Sequence, residues 1–257
     1  MKMMQKNERV MADFPRETSA EPIAFLAHSG RASNSAELAL ICAELRDQQI
    51  DTPPPLDSWQ RAVHVTLAIA AIIFLAPVFL IVALLVALTD PGPVLYRQKR
   101  VGLNGKQFDC LKFRTMRTDA DSKLAELLDK DPELRREWKE TRKLDNDPRI
   151  TPIGKLLRLS SLDELPQLFN VLSGDINLVG PRPIIEDELP CYGRYLRHYL
   201  SVRPGLTGMW QISGRSSTTY RRRVAADVLY VRRRSPALDL YIILATIPAV
   251  VLARGAV

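Results

Sequence analysis

The chain has 257 residues, enough for one domain of medium size with extensions, and its formal net charge is +7. A basic chain suits anionic lipids or phosphorylated substrates, and no helix-turn-helix, zinc-finger or RNP pattern supports nucleic acid as a partner. Three widely spaced cysteines argue against a disulfide framework and, with three scattered histidines, against structural zinc.

Residues 1–57 predict a flexible or regulatory arm without chemistry of its own. The segment is polar and of mixed charge, so it contains no cleavable signal peptide. A stiff Pro53-Pro54-Pro55 spacer stands close to its end. Residues 1–61 carry 7 Lys and Arg against 9 Asp and Glu, so the positive charge is concentrated downstream.

Residues 58–90 predict a membrane helix. Residues 63–89 contain no Asp, Glu, Lys or Arg, and about 20 apolar residues suffice to cross a bilayer. Pro77 stands near the middle and predicts a kink, because it removes a backbone hydrogen bond and clashes with the preceding turn. Basic residues flank both ends, which favours a bent helix that returns to the cytoplasmic side. A plain transmembrane span is the alternative at this point.

Residues 91–257 predict a domain of α+β class in which helices dominate. Short strands are expected near residues 94–98 and 107–113, joined through Asn104-Gly105, and one solvated amphipathic helix is expected over residues 120–143. The apolar run over residues 240–253 is too short to span a bilayer comfortably and predicts an interfacial or buried helix.

Asp163 and Glu164 form an adjacent acidic pair in a helix-forming context. Adjacent helical side chains diverge by about 100°, so the two carboxylates suit two different tasks, such as nucleophile and metal ligand. A structural interpretation competes and is favoured on local grounds. Ser161 to Glu164 matches a capping box, and Asp163 could itself be the N-cap of a helix with Pro166 in its first turn.

Several basic residues are candidate phosphate ligands. Arg182 stands in a stiff Gly-Pro-Arg-Pro segment and can donate bidentate hydrogen bonds to phosphate, although an exposed structural turn fits equally well. Lys112 and Arg114 alternate along a predicted strand and so share one face. Arg158 precedes Asp163 by five residues and could join them.

Three further polar residues surround a glycine-rich loop over residues 204–214, where glycines permit close approach of the backbone to a ligand. The candidates are Arg203, Gln211 and Arg215.

Four segments resemble the bacterial sugar transferases, the monotopic polyprenyl-phosphate phosphoglycosyl transferases. The segments are LKFRTM (111–116), DPRITPIGKLLRLSSLDELPQLFNVLSGDINLVGPRP (147–183), RPGLTGMWQISGR (203–215) and the apolar C-terminal run. The similarity runs from about residue 61 to residue 257 and is greatest to the short exopolysaccharide-production members that transfer galactose phosphate. Two short segments depart from the common pattern: Gln60-Arg61-Ala62-Val63-His64 stands where many members have Lys-Arg and then an aromatic-Asp pair, and Ala76-Pro77 replaces a frequent Ser-Pro. The core family does not explain the arm.

The resemblance implies a re-entrant membrane helix and a Mg²⁺-dependent reaction in two steps. Asp163 would be the nucleophile that attacks a UDP-sugar and releases UMP, and Glu164 would bind the metal. The basic candidates Lys112, Arg114, Arg158 and Arg182 would surround the diphosphate. Asp227 matches a functionally important acidic position, and its role is left open.

The implied product is a lipid-linked sugar on undecaprenyl phosphate, at the cytoplasmic face of the bacterial inner membrane. UDP-galactose is the favoured donor and UDP-glucose the alternative, and downstream glycosyltransferases are possible partners. The competing class is a non-catalytic basic protein, anchored to the membrane, that binds phosphorylated lipids or an enzyme.

Overall fold

The computed structural model describes residues 58–141, 144, 147–212 and 219–251, so the predicted arm lies outside the described residues. The α+β class and the dominance of helices are confirmed. The helices are α1 (Ser58–Thr89), α2 (Ala120–Lys130), α3 (Pro132–Thr141), α4 (Pro152–Ser160), α5 (Gln167–Ser173), α6 (Leu196–Leu200), α7 (Met209–Ile212), α8 (Tyr220–Arg233) and α9 (Pro236–Val251). The strands are β1 (Leu95–Val101), β2 (Gln107–Phe113), β3 (Asn177–Val179) and β4 (Gly205–Thr207).

Helix α1 is the long apolar helix that the sequence predicted, and it is long and apolar enough to cross a membrane. One stripe of its side chains is buried or partly buried over its whole length, at helical spacing. Members of the stripe are Arg61, His64, Ala68, Ile72, Phe79, Val82 and Val86. The helix is a single element through the exposed Pro77, and the kink expected there stays a prediction.

Both ends of α1 are hydrogen-bonded to the domain that follows it. Near the first end, Arg61 donates hydrogen bonds to the carbonyl oxygens of Val171 and Ile176, the latter at 3.0 Å. Directly after the other end, the Asp90 carboxylate accepts the backbone N–H of Thr118 at 2.8 Å, and the Asp90 carbonyl accepts a hydrogen bond from Arg114. The helix therefore lies along the domain and does not project away from it.

The first two strands form an antiparallel hairpin, as predicted, with Val101 paired to Gln107 at its closed end. A 3₁₀ turn (Leu103–Gly105) connects them. Asn104 adopts a left-handed φ of 54°, a conformation that asparagine tolerates better than most residues. Lys112 lies at the end of β2, and this hairpin therefore positions one of the candidate cations.

The single amphipathic helix predicted over residues 120–143 was wrong. The structure contains two helices, α2 and α3, separated at Asp131, which has extended backbone angles of −125° and 108°. Pro132 explains the break, because a proline disfavours helical angles in the residue before it. Residues 142 and 143 lie outside the described part of the chain.

Helices α8 and α9 pack against the short parallel strand pair β3–β4. In that pair Asn177 lies opposite Gly205 and Val179 opposite Thr207. The buried side chain of Asp239 on α9 approaches His64 Nε2 at 3.4 Å and accepts a hydrogen bond from Tyr230 at 2.9 Å. The C-terminal apolar run thus forms a helix that is joined to α1 through buried polar groups.

The outer surfaces of four helices are apolar and exposed. Phe74 on α1 is 82% exposed and Ile73 is 70% exposed. The same exposure extends to side chains of α4, α5 and α9: Leu156, Leu159, Phe169, Leu172, Leu240, Tyr241, Leu244 and Ile247. A soluble monomer rarely exposes so much apolar surface, so these helices present a surface suited to a lipid interface.

Candidate active site

Asp163 and Glu164 lie on a 3₁₀ turn (Leu162–Glu164) between α4 and α5. Helix α4 ends because Ser161 adopts a left-handed φ of 58°, and its N–H returns to the carbonyl of Arg158. Neither capping interpretation holds: Ser161 makes no side-chain cap bond, and the N-cap of α5 is Pro166. The acidic pair is therefore not explained by helix capping.

The Asp163 carboxyl is buried, with the residue only 8% exposed. Lys112 Nζ lies 3.9 Å from its Oδ2. Burial raises the pKa of Asp163 to about 6, while the charge of Lys112 opposes that rise. At neutral pH the carboxylate is thus ionised yet poorly solvated, which suits a nucleophile.

Glu164 is the more accessible partner, with its side chain 40% exposed. Its Oε1 accepts a hydrogen bond of 2.7 Å from Lys112 Nζ. Burial opposes ionisation, but Lys112 and Arg182 outweigh it and lower the pKa of Glu164. One lysine therefore holds both carboxylates in place and keeps both charged at neutral pH.

Arg158 lies on α4, and its charge opposes the rise that burial causes in the pKa of Asp163. Its Nε donates to Thr115 Oγ1 at 3.0 Å. Gly154 allows this placement, because a Cβ there would lie 2.0 Å from the carbonyl oxygen of Thr115. Helix α4 can pack against the end of β2 only through a glycine at this position.

Arg182 approaches the site from the segment after β3. Its charge lowers the pKa of Glu164, and its guanidinium lies 5.1 Å from the ring centroid of Trp210. Tight packing against the β4 segment holds this turn: the Gly205 N–H donates to the carbonyl of Pro181 at 2.8 Å. The predicted set Lys112, Arg158 and Arg182 is thus brought around the acidic pair.

Arg114 and Arg203 are not brought to the carboxylates. Arg114 hydrogen-bonds to Asp90 at the end of α1, and its Nη1 is buried without a partner. Arg203 Nε donates to the carbonyl of Gly174 at 2.8 Å, beyond the end of α5 remote from Asp163. Their phosphate-binding roles stay predictions, and the contacts given are structural.

The structure describes two of the three remaining candidate residues, Gln211 and Asp227. Gln211 Nε2 donates to the carbonyl of Leu206 at 3.3 Å, and Arg215 lies outside the described residues. Asp227 on α8 is 1% exposed and accepts a 2.7 Å hydrogen bond from the Tyr192 hydroxyl. Burial raises the pKa of Asp227 to about 7 against the opposing charges of Arg223 and Arg182.

Sequence reasoning missed Trp210, Arg223 and Thr115 as members of the site. Trp210 directly precedes the candidate Gln211, and Arg223 belongs to a run of three arginines, so composition alone gives no reason to single them out. Thr115 stands beside Arg114 in the strand-end motif. Only the packing of α4, α7 and α8 brings Thr115 to Arg158 and stacks Arg182 and Arg223 on Trp210.

The donor set fits a magnesium ion that is completed by a substrate. Among the described residues no cluster of three or more His, Cys, Asp or Glu side chains forms a dedicated metal site. Mg²⁺ needs only one or two carboxylates when phosphate oxygens and water supply its other ligands. Glu164, being accessible, is the residue that would hold it, and its involvement remains a prediction.

A family model described as bacterial sugar transferase matches residues 56–253. Among curated proteins, the exopolysaccharide production protein ExoY of Sinorhizobium fredii is 50% identical over 196 residues, covering 76% of this chain and 87% of that protein. The undecaprenyl-phosphate galactose phosphotransferase of Salmonella typhimurium is 49% identical over 65% of this chain and 35% of its own length. A UDP-glucose:undecaprenyl-phosphate glucose-1-phosphate transferase of Xanthomonas campestris is 40% identical over 70% of this chain and 36% of its own length.

Proposed function

Because this chain belongs to the bacterial sugar transferase family, we propose that it transfers a hexose 1-phosphate from a UDP-sugar to undecaprenyl phosphate in exopolysaccharide synthesis. The observation that carries the proposal is the buried Asp163 beside Glu164, with Lys112 between the two carboxylates. A buried carboxylate with compensating cations is suited to attack a phosphorus atom, because little water has to be removed from it.

The reaction proceeds in two displacements at one phosphorus atom. In the first, Asp163 attacks the β-phosphorus of the UDP-sugar, a new bond from its carboxylate oxygen to phosphorus forms, and the bond to the bridging oxygen breaks. UMP leaves with that oxygen. In the second, an oxygen of undecaprenyl phosphate attacks the same phosphorus, and the Asp163 carboxylate leaves, regenerated.

The surrounding cations stabilise the charge that spreads over the phosphoryl oxygens in each displacement. Lys112 and Arg158 flank Asp163, and Arg182 lies on the side of Glu164. A bound Mg²⁺ would neutralise charge on the leaving UMP. Glu164 would hold that ion, while Lys112 keeps its carboxylate ionised.

Galactose is the favoured sugar and glucose the alternative. The Salmonella phosphotransferase is named for galactose and supports that sugar by similarity, whereas the Xanthomonas relative is named for glucose. The described site residues carry charges that recognise phosphate, and these charges do not distinguish the two hydroxyl configurations.

The contacts of α1 support a membrane helix that enters and leaves the same leaflet. Both of its ends are hydrogen-bonded to one body, and its outer face is apolar and exposed. The exposed apolar side chains of α4, α5 and α9 extend that surface. These observations support the proposal that the acidic pair works near lipid headgroups, and we propose the cytoplasmic face of the inner membrane as its location.

The direct test is UMP release from UDP-galactose and UDP-glucose by the full chain in detergent, with undecaprenyl phosphate and Mg²⁺. Release is expected with one sugar, and Asp163→Asn or a chelator should abolish it. The exposed Asp187→Asn serves as the matched control and should retain activity. If no UDP-sugar in a wider panel supports release, the non-catalytic binding protein becomes the better interpretation.

A further inference from the structure

Trp210 on α7 is flanked by two guanidinium groups. The Cζ atom of Arg182 lies 5.1 Å from the ring centroid, and that of Arg223 lies 4.8 Å from it. The two cations are therefore within about 10 Å of each other, held by stacking on the same indole. Among the described residues neither guanidinium forms a direct salt bridge, and the carboxylates of Glu188 and Asp227 act on Arg223 only from beyond salt-bridge distance.

The like charges and the partial burial both disfavour this arrangement. Burial, followed by the charge of Arg182, lowers the pKa of Arg223. An anion at the rim of the indole that both guanidinium groups contact would offset both effects. A phosphate group is the matching ligand, because arginine donates to its oxygens in charge-assisted bonds of about 2.8 Å.

Within the described part of the chain, several buried polar atoms around Trp210 have no hydrogen-bond partner. The buried atoms are Trp210 Nε1, Gln211 Oε1, Tyr220 Oη and Arg223 Nε. A buried polar group without a hydrogen bond costs about 1–3 kcal/mol, so four such atoms on neighbouring segments are unusual for a purely structural cluster. The cluster is better explained as part of a site that a polar ligand completes.

Arg182 connects this cluster to the reacting centre. Its charge acts on Glu164 on one side and on Arg223 on the other. In both proposed displacements the entering and leaving oxygens stand roughly in line with the phosphorus. UMP leaves from the position opposite Asp163, and the lipid phosphate must later attack from that same position.

We propose that Arg182, Trp210 and Arg223 form one phosphate-monoester subsite, occupied first by the departing UMP and then by the phosphate of the lipid acceptor. This inference rests on the proposed function and adds two residues, Trp210 and Arg223, to it. Lys112 and Arg158 stabilise the charge on the phosphoryl group that is transferred. The subsite binds the phosphate of the group that leaves or enters.

The test compares Arg223→Gln with Arg223→Lys in the full chain, and uses Arg222→Gln as the control, because Arg222 is exposed on the same helix. Two constants are measured by steady-state kinetics: the inhibition constant of UMP and the KM of undecaprenyl phosphate. Arg223→Gln should raise both by a similar factor of about tenfold or more, the effect of losing one charged hydrogen bond. Arg223→Lys should recover part of both, and Arg222→Gln should change neither.

A rise in only one of the two constants, or equal effects of Arg222→Gln, would overturn the shared subsite. If turnover of Arg223→Gln is too slow to measure, calorimetric titration gives the dissociation constant of UMP for the variant and the wild type. A loss of affinity below about threefold counts against the proposal. Uridine, which has no phosphate, should bind the variant and the wild type equally. Failure of the proposed function is a separate result, because it shows as absent UMP release in the wild type.

Discussion

Removal of the Lys112 charge should shift the acidic midpoint of the pH–rate profile to higher pH. The wild-type kcat/KM should be half-maximal near pH 6, because burial raises the pKa of Asp163 to about 6 and attack requires its ionised form. Lys112 Nζ is 3.9 Å from Asp163 Oδ2. At that distance a unit charge contributes about 1 kcal/mol in water-like surroundings and about 4 kcal/mol at a dielectric constant of 20. Lys112→Met should therefore raise the midpoint by about one to three pH units.

The assay is kcat/KM for UMP release between pH 5 and pH 9. Lys112→Arg keeps the charge and should keep the midpoint near that of the wild type. Lys99→Met, on the neighbouring strand with a side chain that is 69% exposed, controls for general effects on the hairpin. An unchanged midpoint in Lys112→Met, with a rate that falls equally at all pH values, would refute the coupling between Lys112 and Asp163.

Four other changes test the structure. Asp163→Asn should raise the free energy of unfolding by up to about 3 kcal/mol above pH 6 and by little below pH 4. The reason is that the pKa of Asp163 is raised in the folded state, so the wild-type protein loses stability as the pH rises through that window. Urea titrations at both pH values measure the difference. Gly154→Ala should destabilise by about 1–3 kcal/mol and lower activity, since its Cβ would meet the Thr115 carbonyl oxygen; thermal melting and UMP release report both. Arg61→Met should lower the melting temperature and increase proteolysis near α1, because the hydrogen bonds to the α5–β3 segment disappear. Glu164→Gln should raise the Mg²⁺ concentration that gives half-maximal activity, and an unchanged metal titration would remove Glu164 as the ligand.

The sequence predicted the elements whose signal is local. The extent of α1 follows from an uncharged run, and the β1–β2 hairpin follows from alternation around Asn104-Gly105. The strand alternation that grouped Lys112 with Arg114 did not predict their separation: β2 ends at Phe113, Lys112 contacts the acidic pair, and Arg114 turns to Asp90. The charged segment over residues 120–143 was assigned one helix because its leucine spacing was weighed above the break at Pro132.

Contacts between distant segments were not predictable in the same way. Arg203 has the residue type and surroundings of a phosphate ligand, yet its Nε binds the carbonyl of Gly174. The pairing of Arg61 with Ile176 decides how α1 lies on the domain, and it joins residues 115 positions apart. The stack of Trp210 with Arg223 likewise depends on the packing of α7 against α8.

In the proposed mechanism Asp163 carries the sugar phosphate between the two displacements. The full chain should be incubated with UDP-galactose and Mg²⁺ in the absence of undecaprenyl phosphate, and the intact protein and its peptides weighed by mass spectrometry. One equivalent of UMP and a hexose-phosphate adduct on the peptide that contains Asp163 are expected, and Asp163→Asn should form neither. UMP release that needs the lipid acceptor, with no adduct under any acceptor-free condition, would contradict the covalent mechanism.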